Sequence, residues 1–264
     1  MESESTEGFD FEEWSESGIK RDEAAECAAG VPKPYRPTQR PPMALLLIFD
    51  DGRDRGALVR LTKDRYCIGR DTEICIPHDP AIAAEHVEIH RIQQSTGYAW
   101  QLTDLDSQTG LWVRVRRVKL RDGCEFIAGN HRYAYSPGID DDRSGCGTTV
   151  LNQRLAAGSL PGQSIFDSSI AYPSIQRLGD PVSKPLWLIS GSYWIGSNTK
   201  CELSCPQDPF LAGQHVNVSQ EQGEWTLDSH GVRNGLWLRQ PRIQVTKTCT
   251  FQIGEQRFRL YAAV

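Results

Sequence analysis

Two stretches of this 264-residue chain repeat the same order of residues, and this repeat is the strongest constraint on its fold. Residues 66–89 read YCIGRDTEICIPHDPAIAAEHVEI, and residues 193–218 read YWIGSNTKCELSCPQDPFLAGQHVNV. Each stretch passes from a short apolar run through a glycine and a polar loop to a histidine that opens an alternating segment. A second pair, GLWVR at residues 110–114 and GLWLR at residues 235–239, follows in the same order. An internal duplication of this kind predicts that the chain builds one architecture twice.

The apolar residues of both copies fall in short runs. Between residues 44 and 135 no run keeps a helical period over ten residues, and turn sequences such as DDGRDRG separate the runs. Several runs alternate apolar and polar residues, as strands with one buried face do. The pattern resumes at residue 174 and continues to residue 261. Many short strands at close spacing predict an all-β fold of two β-sandwiches in tandem.

The segments outside the two copies differ in composition. Residues 1–42 hold ten of the 34 acidic residues, five of the 29 basic residues and five prolines, which is typical of a disordered acidic tail. Residues 137–172 are rich in turn residues and predict a linker, with one brief helix over residues 149–157. The predicted domains are therefore a tail at 1–42, a sandwich at 43–136, a linker at 137–172 and a second sandwich at 173–264.

The charge distribution argues against several function classes. The net charge is −5, and the excess of acid lies in residues 1–42, because the remaining acidic and basic residues are equal in number. A neutral body lacks the basic footprint of a general nucleic-acid-binding protein. The longest apolar run, residues 43–49, is too short to cross a bilayer, and the acidic N-terminus lacks the apolar core of a secretory signal. With eight scattered cysteines, we expect a cytoplasmic protein that does not contact membranes.

Patterns that would indicate catalysis or a metal centre are weak. His86, Glu88 and His90 share one face of a predicted strand but do not form the HExxH motif of zinc proteases. Cys201 and Cys205 have no second cysteine pair at zinc spacing. The sequence also contains no nucleophile elbow and no P-loop. We therefore expect no catalytic residue, no metal site and no cofactor.

The order of the short motifs resembles the forkhead-associated (FHA) domain, a β-sandwich whose loops at one end bind phosphothreonine peptides. The family pattern runs Gly-Arg, Ser-x-x-His, Asn-Gly and then a closing hairpin. The first copy carries the corresponding residues Gly69-Arg70, Ala83-x-x-His86 and Thr109-Gly110. The second copy carries Gly196-Ser197, Ala212-x-x-His215 and Asn234-Gly235. The resemblance covers both copies and leaves out the tail and the linker.

For the first copy, the resemblance implies a weakened phosphothreonine site. Arg70 supplies a planar, permanently charged donor fork for the phosphate. Ala83 stands where the family has a phosphate-binding serine, and losing such a hydrogen bond costs about 1.5–3 kcal/mol. Thr109 stands where the family has the asparagine that holds the peptide backbone. Ser107 and Gln108, in the same loop, could compensate by donating to the phosphate.

For the second copy, the resemblance implies a site without its charged anchor. Ser197 replaces the arginine, although Asn234 is retained, so we expect a structural or phosphate-independent module. In both copies the resemblance assigns a loop-structuring role to one His and two Gly positions. These residues are Gly69, His86, Gly110, Gly196, His215 and Gly235.

The expected function is a non-enzymatic adaptor that binds a phosphoprotein. Two alternatives remain open: a phosphate-independent scaffold in which both sites are inactive, or a non-catalytic subunit of a larger signalling or secretion assembly. Thr6, once phosphorylated, is a candidate ligand within the chain's own tail. A ribbon of basic residues is a candidate surface for an acidic partner, the tail included. It consists of Arg114, Arg116, Arg117, Lys119 and Arg121.

Overall fold

The computed structural model describes residues 43–49, 56–95, 97–138, 172–229 and 231–262, which form twenty strands and no helix. The all-β fold predicted from the sequence is confirmed. The predicted tail at 1–42, the helix at 149–157 and most of the linker at 137–172 lie outside the described residues.

The strands are numbered in chain order, ten in each copy. Those of the first copy are β1 (Ala44–Ile48), β2 (Ala57–Leu61), β3 (Arg65–Gly69), β4 (Ile74–Cys75), β5 (Val87–Gln94), β6 (Gly97–Asp104), β7 (Trp112–Val115), β8 (Arg117–Lys119), β9 (Glu125–Ala128) and β10 (His131–Ser136). Those of the second copy are β11 (Ser174–Arg177), β12 (Leu186–Trp187), β13 (Ser192–Gly196), β14 (Leu203–Ser204), β15 (Val216–Glu221), β16 (Glu224–Asp228), β17 (Leu236–Arg239), β18 (Arg242–Val245), β19 (Thr248–Ile253) and β20 (Gln256–Ala262).

The strands form three sheets, and the strand order joins the two copies. One five-stranded sheet has the order β18-β6-β5-β3-β4, and the other has the order β14-β13-β15-β16-β8. The third sheet has ten strands in the order β12-β11-β10-β9-β17-β7-β19-β20-β1-β2. Each five-stranded sheet therefore takes one edge strand from the other copy.

Two hydrophobic cores follow the same exchange. One core contains Ile68 of β3 together with Phe251 of β19 and Phe258 of β20. The other contains Val216 of β15 together with Phe126 of β9. Strands β18–β20 thus complete the sandwich that β1–β7 begin, and β8–β10 complete the sandwich that β11–β17 begin. We call these the first and the second sandwich.

The exchange corrects the predicted division into one sandwich at 43–136 and another at 173–264, because each of these ranges contributes strands to both cores. Only Arg116 separates β7 from β8, which is too short for a hairpin turn, so the chain bends from one sheet into another at this point. Since the copies are alike, each offers the other an equivalent edge, and exchanging equivalent elements costs little.

The two copies meet where β7 and β17 pair in antiparallel fashion, with Val113 opposite Leu238. These two strands lie in the middle of the ten-stranded sheet and connect its halves. Within the described part of the chain, we find no helical segment with the length and apolarity that crossing a membrane requires.

Candidate functional site

Arg70 directly follows β3, at a mouth formed by the loops of the first sandwich. Its backbone N–H donates to the Ala83 carbonyl at 3.0 Å, and the N–H of Asp71 donates to the Ala84 carbonyl at 3.2 Å. These bonds tie the loop after β3 to the loop before β5. The Arg70 residue is exposed, and no acidic side chain among the described residues forms an ion pair with it. Its guanidinium is therefore available to an anion.

Gly69 permits the close approach of these two loops. A Cβ at this position would lie 2.0 Å from the Ala84 carbonyl oxygen, which no side chain tolerates. In the second copy, a Cβ at Gly196 would lie 2.2 Å from the Gly213 carbonyl oxygen. Both positions therefore require glycine for the flanking loops to approach this closely.

His86 lies fully buried beneath the loops. Its Nδ1 accepts the Ala83 backbone N–H at 3.1 Å, so the ring proton sits on Nε2. This Nε2 lies 2.8 Å from the Ser107 hydroxyl and 3.3 Å from the Gly110 carbonyl oxygen. Burial lowers the pKa of His86, which keeps the imidazole neutral in this network. His86 holds three loop segments together and presents no ring nitrogen to a ligand.

Ser107 takes part in the same buried network. Its Oγ donates to the Asp104 carboxylate at 2.5 Å and accepts the Gly110 N–H at 3.0 Å. With His86 as a third partner and only 7% of its surface exposed, Ser107 does not face the mouth. Its placement argues against the predicted role as a phosphate donor. Gln108, by contrast, is exposed in the same loop.

Thr109 joins two loops through its side chain. Its hydroxyl donates to the Ala81 carbonyl at 2.8 Å. Asn234 forms the equivalent bond in the second copy, where Nδ2 donates to the Phe210 carbonyl at 2.7 Å. Thr109 thus forms the same loop-bracing bond as the asparagine. Its side chain has no amide group, so it cannot also donate to and accept from a peptide backbone.

The second copy keeps the framework of the first without its arginine. The backbone N–H of Ser197 donates to the Ala212 carbonyl at 2.9 Å. His215 Nδ1 accepts the Ala212 N–H at 3.0 Å, and its Nε2 donates to the Gly235 carbonyl at 2.9 Å. These bonds are the counterparts of those around Arg70 and His86, so the two copies share the same backbone-to-histidine framework.

An aspartate in each copy anchors the loop before β5 or β15, which we call the recognition loop, to a turn contributed by the other copy. The Asp79 carboxylate accepts the Ala81 N–H at 2.9 Å within its own loop and the Glu255 N–H at 2.7 Å in the β19–β20 turn. Asp208 accepts the Asn130 N–H at 2.8 Å in the β9–β10 turn. The sequence held a signal for this contact, because both copies place Asp-Pro at the same point of the repeat.

The predicted basic ribbon is divided between two surfaces. Arg117 pairs with Glu221 and Lys119 with Glu224, both on the outer side of the second sandwich. Arg114 instead turns towards the loop before β17, where Nη2 donates to two backbone carbonyls at 2.9 and 3.3 Å. The ribbon is continuous in sequence only, since β7 and β8 lie in different sheets.

The cysteines and histidines that the structure describes show no metal-binding arrangement. No group of three or more His, Cys, Asp and Glu side chains in the described ranges is arranged to hold a metal ion. Cys201 and Cys205 are both buried, and the Cys201 thiol donates to the Gly213 carbonyl at 3.2 Å.

Comparison with known proteins identifies part of the chain. The FHA domain model matches residues 66–129, which is 64 of the 264 residues and lies in the first copy. FHA domains are non-catalytic interaction modules that bind phosphothreonine-containing proteins. Among solved structures, the chain is similar to full-length Pml1p from yeast, with 23% identity over 31% of this chain and 67% of that chain and a TM-score of 0.25. No curated protein sequence matches the chain significantly.

Proposed function

We propose that this protein is a non-enzymatic adaptor whose first copy binds phosphothreonine peptides weakly through Arg70. The observation that carries the proposal is the exposed Arg70 side chain, which has no ion-pair partner among the described residues and extends from a loop that the backbone N–H groups of Arg70 and Asp71 fix at the mouth. A phosphothreonine brings nearly two negative charges and three acceptor oxygens, which a guanidinium fork can bind bidentately.

The geometry around Arg70 supports weak binding. Ala83 offers no hydroxyl, the Ser107 hydroxyl is occupied in the buried network, and the Thr109 hydroxyl is donated to Ala81. Each missing hydrogen bond to the phosphate lowers the binding free energy by about 1.5–3 kcal/mol. Gln108 is the remaining side chain of this loop that can add a donor to the phosphate.

We assign the second copy a structural or phosphate-independent role. Ser197 carries no charge, and a phosphate desolvated against neutral donors binds poorly. Asn234 is retained, but its amide N–H already braces the Phe210 carbonyl. Thr6 lies outside the described residues, so binding of a phosphorylated tail stays a prediction from the sequence, as does a cytoplasmic location.

The competing candidate is a scaffold in which both sites are inactive, and the missing donors around Arg70 favour it. Calorimetric titration with a phosphothreonine peptide library separates the two. The adaptor predicts binding that requires the phosphate and is lost in Arg70→Ala, whereas Arg116→Ala, which removes another exposed arginine, leaves it unchanged. Binding that survives Arg70→Ala, or that persists with unphosphorylated peptide, overturns the phosphate mechanism.

A further inference from the structure

The ten-stranded sheet turns a basic, aromatic face away from both cores. Neighbouring strand residues point to opposite sides, so core residues fix the direction of those beside them. Leu236 and Leu238 lie in the second core, which places Trp237 and Arg239 on the outer face. By the same alternation the outer face carries further residues of β7, β10 and β20. These are Trp112, Arg114, Arg132, Arg257 and Arg259.

Two arginines on this face lie over tryptophan rings from the other half of the sheet. The Arg257 guanidinium is 5.3 Å from the ring centroid of Trp237, and the Arg132 guanidinium is 6.0 Å from that of Trp112. The indole N–H of Trp237 donates to the Asn234 carbonyl at 2.8 Å, which ties the ring to the loop of the second copy. The rings thereby limit the motion of the guanidinium forks.

A cavity of about 500 Å³ opens between these arginines and the loop that carries Asn234. Its wall includes Arg132, Arg257, Gln252, Asn234 and Trp237, and none of its described lining residues is acidic. Neither Arg132 nor Arg257 has an ion-pair partner among the described residues. The cavity lies where the two sandwiches meet, since Arg257 belongs to the first and Trp237 to the second.

Among the described residues of the sheet, no acidic side chain pairs with the arginines that line this cavity. Burial lowers the pKa of Arg114, and the nearby charges of Arg259 and Arg257 lower it further, so the three cations lie close enough to repel one another. The acidic side chain in the middle of this face is Glu125, and it already pairs with Arg239 at 3.0 Å. An anion that binds here would therefore interact favourably with the positive potential of these arginines.

We propose that this cavity binds an unphosphorylated acidic peptide, whose side-chain carboxylates pair with Arg132 and Arg257. Each guanidinium stands over its own ring, so each fork is suited to one carboxylate. Asn234 Nδ2 donates to the Phe210 carbonyl, which leaves the side-chain Oδ1 of Asn234 to accept a peptide N–H. The inference deepens the phosphate-independent role proposed for the second copy and uses no residue of the Arg70 site.

Fluorescence anisotropy with the full chain tests the inference. The probes are a labelled peptide of alternating glutamate and alanine, the same peptide with glutamine for glutamate, and a phosphothreonine peptide. We expect the glutamate peptide to bind and the glutamine peptide not to bind. Arg132→Gln and Arg257→Gln should each lower the affinity for the glutamate peptide by about tenfold or more, because each removes a charge-assisted pair. Both side chains are exposed, so a melting curve should show that these variants remain folded.

Two control variants separate this inference from the Arg70 site. Lys247→Gln removes one exposed positive charge in the turn between β18 and β19, outside the cavity, and Arg70→Ala removes the predicted phosphate anchor. The inference expects both to bind the glutamate peptide as the wild type does. Equal weakening by Lys247→Gln, no binding of the glutamate peptide, or an effect of Arg132→Gln and Arg257→Gln on the phosphothreonine peptide alone would overturn it. Failure of the Arg70 site appears independently, as phosphothreonine binding that Arg70→Ala does not change.

Discussion

Asp79 and Glu255 are 176 residues apart in the sequence, yet the Asp79 carboxylate accepts the Glu255 backbone N–H at 2.7 Å. The contact anchors a recognition loop of the first copy to the last hairpin of the second. Asp208 and Asn130 form the equivalent contact in the second sandwich at 2.8 Å. The loop geometry at Arg70 therefore depends on strands from both copies.

Replacing Asp79 with alanine should loosen this anchor. Asp79→Ala removes two hydrogen bonds from backbone N–H groups to a charged acceptor, one of them partly buried and one exposed, so we expect the free energy of unfolding to fall by about 1–3 kcal/mol. Denaturant unfolding measures the effect, with the exposed Asp64→Ala as the control of equal charge change. The prediction fails if the two variants unfold at the same denaturant concentration.

Gly254 offers a sharper test of the same contact. Its φ is +55°, and a Cβ there would lie 2.4 Å from the Asp79 carboxylate and 2.9 Å from Ile82 Cγ1. Gly123, in the turn between β8 and β9, has a similar φ of +69° but open space around it. Gly123→Ala should lower the free energy of unfolding by about 1–2 kcal/mol, because alanine disfavours the left-handed backbone. Gly254→Ala should lower it further because its Cβ also clashes. Equal thermal stability of the two variants would show that the β19–β20 turn does not pack against Asp79.

The buried His86 should make stability depend on pH. Because burial lowers its pKa, the unfolded chain binds a proton near pH 6.5 that the folded chain does not. The stability that the neutral, buried His86 contributes is therefore fully present above about pH 6.5. It is lost as the pH falls below that value, by at most about 1.4 kcal/mol per pH unit. Urea unfolding between pH 7.5 and 5 measures the slope. His86→Gln should have a flatter profile, and an unchanged profile would contradict the assignment.

Restoring the missing serine should strengthen the phosphothreonine site. Ala83→Ser adds a hydroxyl beside Arg70, at the position where the family resemblance places a phosphate donor. The gain of one hydrogen bond to a charged group corresponds to roughly a tenfold tighter phosphothreonine complex or more. Calorimetry with phosphorylated and unphosphorylated forms of one peptide checks this. An equal gain for both forms would show that the serine does not contact the phosphate.

The sequence predicts the local structure well because strand alternation and turn residues are short-range signals. It places β3 and β5 on either side of the Arg70 loop, and it identifies the serine and asparagine positions that Ala83 and Thr109 occupy. It does not predict the direction of Ser107, because alternation ends where the loop begins. Only the fold shows that this hydroxyl turns inward to His86.

The strand exchange has no signature in the sequence. Strands β8 and β18 are edge strands of two similar five-stranded sheets. The hydrophobic pattern and the turn residues would fit each strand equally well in the sheet of its own copy or in that of the other copy. The outer-face cavity is lined by residues of both sandwiches, so the sequence pattern does not predict it either. Arg114 and Arg117 look like parts of one basic ribbon until the bend at Arg116 sends them to different sheets.

The most direct test of the proposed function observes Arg70 itself. Side-chain Nε–Hε signals of arginine, recorded by NMR on the full chain, can be assigned by comparison with Arg70→Lys and followed while a phosphothreonine peptide is added. We predict that the Arg70 signal shifts with the phosphorylated peptide and stays in place with the unphosphorylated one, because its fork binds the phosphate oxygens. A peptide that binds while the Arg70 signal does not move would contradict the account.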